Sequence, residues 1–70
     1  MTFQARVLYN FEAKPNSKQL SIYEGEILTV ISSGLGAGWC KGSNNTGETG
    51  IFPESYIKVI EVRSGFDFQF

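Results

Sequence analysis

A chain of 70 residues holds one small domain, because at this length only about 60% of the surface exposed by the unfolded chain is buried on folding. Apolar residues at 41% and aromatic residues at 14% exclude a disordered segment, and a formal net charge of −1 with scattered Lys and Arg excludes the basic stripe that a nucleic-acid backbone demands. The single cysteine, Cys40, forms no internal disulfide, no apolar run nears the roughly 18 residues that span a bilayer, and no signal segment opens the chain, so a soluble cytosolic setting is expected.

Apolar residues alternate or cluster in short runs instead of recurring every three or four positions, which predicts an all-β domain. Ala5, Val7 and Tyr9 alternate with Gln4, Arg6 and Leu8 in a first strand. The polar stretch Lys14-Pro15-Asn16-Ser17-Lys18-Gln19 reads as a loop, after which Leu20-Ser21-Ile22 resumes the alternation. Glu24-Gly25-Glu26 turns the chain into the strongest strand, Ile27-Leu28-Thr29-Val30-Ile31, with Leu28 and Val30 expected inside. Three glycines fall between Ser32 and Gly38, a composition for a flexible connection and not for a phosphate cradle, since no helix follows. Trp39-Cys40-Lys41-Gly42 and Thr49-Gly50-Ile51-Phe52 are predicted to pair across a tight hairpin at Asn44-Asn45-Thr46-Gly47. Pro53-Glu54-Ser55-Tyr56 reads as one helical turn before the last strand, Ile57-Lys58-Val59-Ile60. Five short strands in under sixty residues suggest a small barrel, with Leu20, Ile22, Leu28, Val30, Phe52 and Ile57 as its core.

Three segments in order carry a family likeness: Val7-Leu8-Tyr9-Asn10-Phe11, Trp39 opening a strand after a Gly-rich loop, and Gly50-Ile51-Phe52-Pro53-Glu54-Ser55-Tyr56. Together they resemble the Src-homology 3 (SH3) family over roughly residues 4 to 60. Membership implies a five-stranded barrel of two packed antiparallel sheets with one 3-10 turn, occupying residues 1–60, with residues 61–70 a tail or linker. It also implies a groove for proline-rich (PxxP) peptides. Tyr9 and Phe11 take the places of the two tyrosines in the family's ALYDY signature, Trp39, Pro53 and Tyr56 take the usual groove positions, Ile51 edges the groove, and Ser55 stands where asparagine is common.

The chemistry suits such a ligand. A polyproline II helix has about three residues per turn and no internal hydrogen bonds, so it presents proline ridges and free carbonyl oxygens. Flat rings make slots for the ridges, while a phenol or indole N–H donates to the carbonyls. These rings are also surplus, because the six core residues named above already suffice for a domain of this size.

The family's third pocket holds a basic ligand residue against one or more acids of the long first loop, the RT loop, and here the sequence departs. Gln19 stands where an acid is usual, Ser17 is neutral, and Lys14 and Lys18 are basic, leaving Glu12 at the base of the loop. A carboxylate takes bidentate hydrogen bonds from arginine, whereas an amide offers one neutral acceptor. The expectation is a preference for proline-rich ligands without a dominant arginine, or with an acidic flank that meets Lys14 and Lys18, unless Glu12, Glu24 or Glu26 swings in to replace the missing acid. Asn10 replaces the signature aspartate, and Val7 is expected to fill volume left open by Gly42.

No histidine, metal-ligand cluster or paired nucleophile and base is present, so no enzyme, metal or cofactor is expected, and Cys40 reads as a free structural thiol facing outward beside Trp39. Among SH3 domains the loop lengths, the Glu24-Gly25-Glu26 turn and the Gly38-Trp39 junction are most similar to the amino-terminal domain of the sorting nexins that also carry phosphoinositide-binding and membrane-curving domains. That likeness implies an endocytic or membrane-trafficking adaptor, monomeric as an isolated domain and without direct membrane insertion, whose partners are proline-rich segments such as those of dynamin or actin-nucleation regulators. A different outcome is a self-associating module whose aromatic face is covered by another chain or by the tail. Phe66-Asp67-Phe68-Gln69-Phe70 reads as a linker stub or as an acidic, phenylalanine-rich peptide of the kind endocytic adaptors capture.

Overall fold

The computed structural model describes residues 2–62. Its elements in chain order are β1 (Phe3–Val7), β2 (Ile27–Ser32), β3 (Trp39–Ser43), β4 (Thr49–Pro53), a 3-10 turn (Glu54–Tyr56) and β5 (Ile57–Val62). All pairings are antiparallel, and one hydrogen-bonded path links the strands in the order β4-β3-β2-β1-β5. The two layers of the expected barrel are therefore halves of one curled sheet. Irregular register between Gln4 and Ala5 and between Val30 and Ser32 breaks the ladders where the sheet bends.

The period of two decides what lies inside. Ala5 and Val7 of β1, Leu28 and Val30 of β2, Cys40 of β3 and Phe52 of β4 are buried, joined by Leu20 and Ile22 from the RT loop. Ile57 packs against this cluster but is only partly buried. Cys40 corrects the expectation that it faces outward. Trp39 and Lys41 take the outer face of β3, so alternation sends the thiol between them into the core. Burial first, and the nearby Glu54 charge second, push the Cys40 thiol above its ordinary value of 9.0. Cys40 should resist alkylation in the folded chain and react once urea unfolds it. Because the folded thiol holds its proton to higher pH than the unfolded one, Cys40 leaves stability unchanged below pH 9.0 and lowers it as pH rises beyond.

Gly42 and Gly50 are both buried, in strands that lie side by side. A Cβ on Gly42 would come within 2.5 Å of the Thr29 carbonyl oxygen and 3.2 Å of the Phe52 ring. The Phe52 ring thus occupies space directly beside Gly42. Gly42→Ala should cost about 2–3 kcal/mol, since a backbone carbonyl cannot move without parting β2 from β3. A urea midpoint equal to the parent's would show that the strands can separate without loss.

The hairpin between β3 and β4 is organised by Asn44, whose Oδ1 accepts from the Thr46 and Glu48 amides, each at 3.0 Å, and from the Thr46 hydroxyl at 2.8 Å. Gly47 follows with φ 87°, a left-handed value that strains any other residue. The last strand runs to Val62, two residues past the expected end at Ile60, and Phe66, Phe68 and Phe70 lie outside the described residues. Among the described residues no helix is long and apolar enough to cross a membrane.

Candidate functional site

Several local devices bring distant aromatic residues to one surface. Phe11 is held by the two arms of the RT loop, where Phe11 and Ile22 exchange both backbone hydrogen bonds at 2.8 Å. Leu8 N–H donates to the Tyr56 carbonyl at 2.7 Å, which seats the end of the first arm, and with it Tyr9, beside the 3-10 turn. Trp39 lies directly opposite Pro53 across β3 and β4. Proline is tolerated there because β4 is an edge strand. It ends β4 and caps the 3-10 turn with φ −68° and ψ 133°, instead of lying within the turn as the sequence suggests. Glu54 N–H donates to the Gly38 carbonyl at 2.7 Å, fixing the junction before Trp39, where Gly38 adopts φ 77°.

These constraints assemble an unbroken row of rings. Tyr9 meets Tyr56 edge to face at 5.6 Å between centroids and 77°, Tyr56 meets Phe11 at 6.0 Å and 85°, and Phe11 meets Trp39 at 5.9 Å and 69°. Edge-to-face contacts of this kind hold rings at fixed angles while leaving faces open. Tyr9 is 59% exposed, Phe11, Trp39, Pro53 and Tyr56 are partly buried, and of these Phe11 and Tyr56 pack against the core without belonging to it. Ser55 lines a shallow hollow together with Ala37, Gly38, Trp39, Pro53 and Glu54. Among the described residues the Trp39 indole and the Tyr9 and Tyr56 phenols make no hydrogen bond, so their donors remain open.

Ile51 lies two residues before Pro53 on β4, on the same face, and lines a second hollow with Ser17, Lys18, Gln19, Lys41, Thr49 and Gly50. It is joined to Lys41 on β3 on one side and to the RT loop on the other, where Ile51 N–H donates to the Lys18 carbonyl at 2.9 Å and Leu20 N–H donates to the Ile51 carbonyl at 2.8 Å. Lys41 was not singled out by the sequence. Its signal was available in principle, since it lies two residues from Trp39 and therefore on the same face of the strand.

The RT loop is braced from within. Gln19 Oε1 accepts from the Lys14 amide at 2.9 Å, the Ser17 hydroxyl donates to the Lys14 carbonyl at 2.6 Å, and the Gln19 amide donates to that hydroxyl at 3.2 Å. The side-chain oxygen that Gln19 was expected to offer a ligand is thus already engaged. No turn acid replaces it either. Glu26 accepts from the Tyr23 amide at 2.9 Å and, with Glu48, lines a third hollow that includes Gln19 and Thr49 but neither Trp39 nor Ile51. Glu24 N–H donates to the Asn10 side-chain oxygen at 2.7 Å, a bond an aspartate could accept equally, and Glu12 and Glu24 are exposed and line neither groove hollow.

Comparison with known proteins agrees with this architecture. The family described as "Variant SH3 domain" matches residues 7–58. Sorting nexin lst-4 of Caenorhabditis elegans is 46% identical over 54 residues, covering 77% of this chain and 10% of that protein. Human sorting nexin-33 is 42% identical over 65 residues, covering 93% of this chain and 11% of that protein. The chain thus spans about a tenth of the length of these relatives. Among solved structures, the C-terminal SH3 domain of myosin IB from Entamoeba histolytica, bound to an EhFP10(GEF) peptide, superposes with a TM-score of 0.73 at 35% identity, covering 86% of this chain and 95% of that one. A matched profile over most of the chain, relatives of this identity and the curled five-stranded sheet together make this chain a member of the SH3 family, a protein-interaction module and not an enzyme.

Proposed function

We infer that the domain binds proline-rich peptides in the polyproline II conformation, held by Tyr9, Phe11, Trp39, Pro53 and Tyr56. The observation that carries this reading is the row of rings from Tyr9 to Trp39, set edge to face on the outside of the core with their donors unused. Proline rings pack between such faces, and the indole and phenol groups meet the ligand carbonyls. The related myosin IB domain was solved with a peptide bound, which supports a peptide as the class of ligand. Phe11 contributes packing alone, because it lacks the hydroxyl of a tyrosine.

The parent protein acts, in this reading, as a cytoplasmic adaptor in membrane trafficking, brought to membranes by its other domains. Its partners are proline-rich segments of endocytic proteins, with dynamin and actin-nucleation regulators as the first to try. Sorting nexin relatives at about 40% identity or more support that direction. A groove of a few pockets gives an affinity of roughly micromolar, or about −8 kcal/mol.

Titration of the labelled domain with a proline-rich peptide tests the groove. Amide and indole shifts are expected at Tyr9, Phe11, Trp39 and Tyr56. Shifts confined to the hairpin around Asn45, with Trp39 and Tyr56 unmoved, would overturn the assignment.

A further inference from the structure

The hollow around Ile51 has donors and no carboxylate. Lys41 is directly opposite Ile51 on β3, a relation that places side chains on the same face roughly 5 Å apart at Cβ. On the other side Gln19 bridges to Ile51, and the Ile51 N–H···O=C hydrogen bond at 2.9 Å fixes the backbone of Lys18. Two lysines therefore border one hollow that holds Ile51. Gln19 adds a donor to them, because its Nε2 makes no hydrogen bond among the described residues, while its Oε1 already accepts from the Lys14 amide at 2.9 Å and keeps one lone pair. The Ser17 hydroxyl is consumed inside the loop, donating to Lys14 and accepting from Gln19. Glu54, the acid near Trp39, lies in the other hollow with Ala37, Gly38 and Pro53.

We propose that this hollow receives an aspartate or glutamate side chain of the peptide ligand, placed beside its proline core, with Lys18 and Lys41 as the selecting residues. The inference rests on the peptide-groove reading above and adds the sign of the charge that the ligand must carry. It differs from the preference expected of Lys14 and Lys18 in its residues. Lys14 does not line the hollow, while Lys41 does. A carboxylate there gains two cations and an amide donor, whereas a ligand arginine meets like charge and finds on Gln19 only the second lone pair of an oxygen already bonded to the Lys14 amide.

The test uses peptides with one proline-rich core and a single flanking position, set at either end in turn, that is Glu, Gln or Arg. Binding is measured by calorimetry, and occupancy of the groove is followed by the Trp39 indole resonance. The Glu peptide should bind roughly five- to tenfold more tightly than the Arg peptide, with Gln between, and the spread should shrink as salt is raised. In the double variant Lys18→Glu with Lys41→Glu, both exposed positions, the order should reverse while the Trp39 shift persists. Equal affinities, or tightest binding of the Arg peptide to the parent domain with Trp39 shifting normally, would overturn this inference and leave the groove standing. A silent Trp39 with all three peptides would take the groove reading down and this one with it.

Discussion

Phe52→Ala should lose about 3–5 kcal/mol of stability, most of what a domain of this size possesses. Phe52 is fully buried and heads the core by volume, and its ring lies 3.2 Å from where a Cβ on Gly42 would be. No neighbour can collapse into the space it leaves without moving paired strands, because Cys40 stands directly across from it on β3 and Gly42 is held against the Thr29 carbonyl of β2. The cavity therefore stays, and its cost adds to the lost transfer energy of the ring. Urea denaturation followed by circular dichroism measures the loss. A midpoint within experimental error of the parent's would mean that the barrel centre is looser than its packing indicates.

Trp39→Ala should have the opposite profile, a large loss of peptide binding with a small loss of stability. Trp39 faces outward, touches Phe11 edge to face at 5.9 Å and stands across from Pro53, so its removal strips the groove of the ring that joins the row to Pro53 and leaves the core intact. Aromatic anchors at the centre of an interface cost at least about 2 kcal/mol on truncation, or roughly thirtyfold in Kd. Folding loses only one edge-to-face contact and part of a half-buried ring, about 1 kcal/mol. Calorimetry and urea denaturation on the same variant separate the two. A Kd changed by less than about threefold would remove Trp39 from the binding surface and with it the central claim for the groove.

The two variants also show what the sequence makes legible. Strands could be read because side chains alternate, so Leu28, Val30 and Phe52 could be assigned to the interior from their neighbours alone. The same rule, applied strictly, places Cys40 inside once Trp39 is placed outside, and the outward reading of Cys40 came from its adjacency to a groove residue. What could not be read were contacts that exist only after closure. Ile51 and Lys18 are far apart in the chain, and nothing local to either shows that their backbones hydrogen-bond. Nor could residue type alone show that the Gln19 oxygen already accepts a hydrogen bond within the RT loop, which leaves it one lone pair for a ligand. Nothing local to Lys41 sets it beside Lys18, and the two line one hollow only because the RT loop reaches β4.

The clamp over Gly50 bears on how quickly ligands are captured. A Cβ at Gly50 would come within 2.8 Å of the Lys18 carbonyl oxygen and 2.9 Å of Leu20, so the RT loop approaches β4 only because that side chain is missing. Through this gap the loop is stitched to the sheet, and its position near Ile51 is set before any peptide arrives. Little chain entropy is then left to lose at the encounter, and no slow opening or ordering of the loop precedes docking. Association should run at the fast end of the usual range for preformed sites, about 10⁷ M⁻¹s⁻¹, so that differences among partners are written into how long each complex lasts.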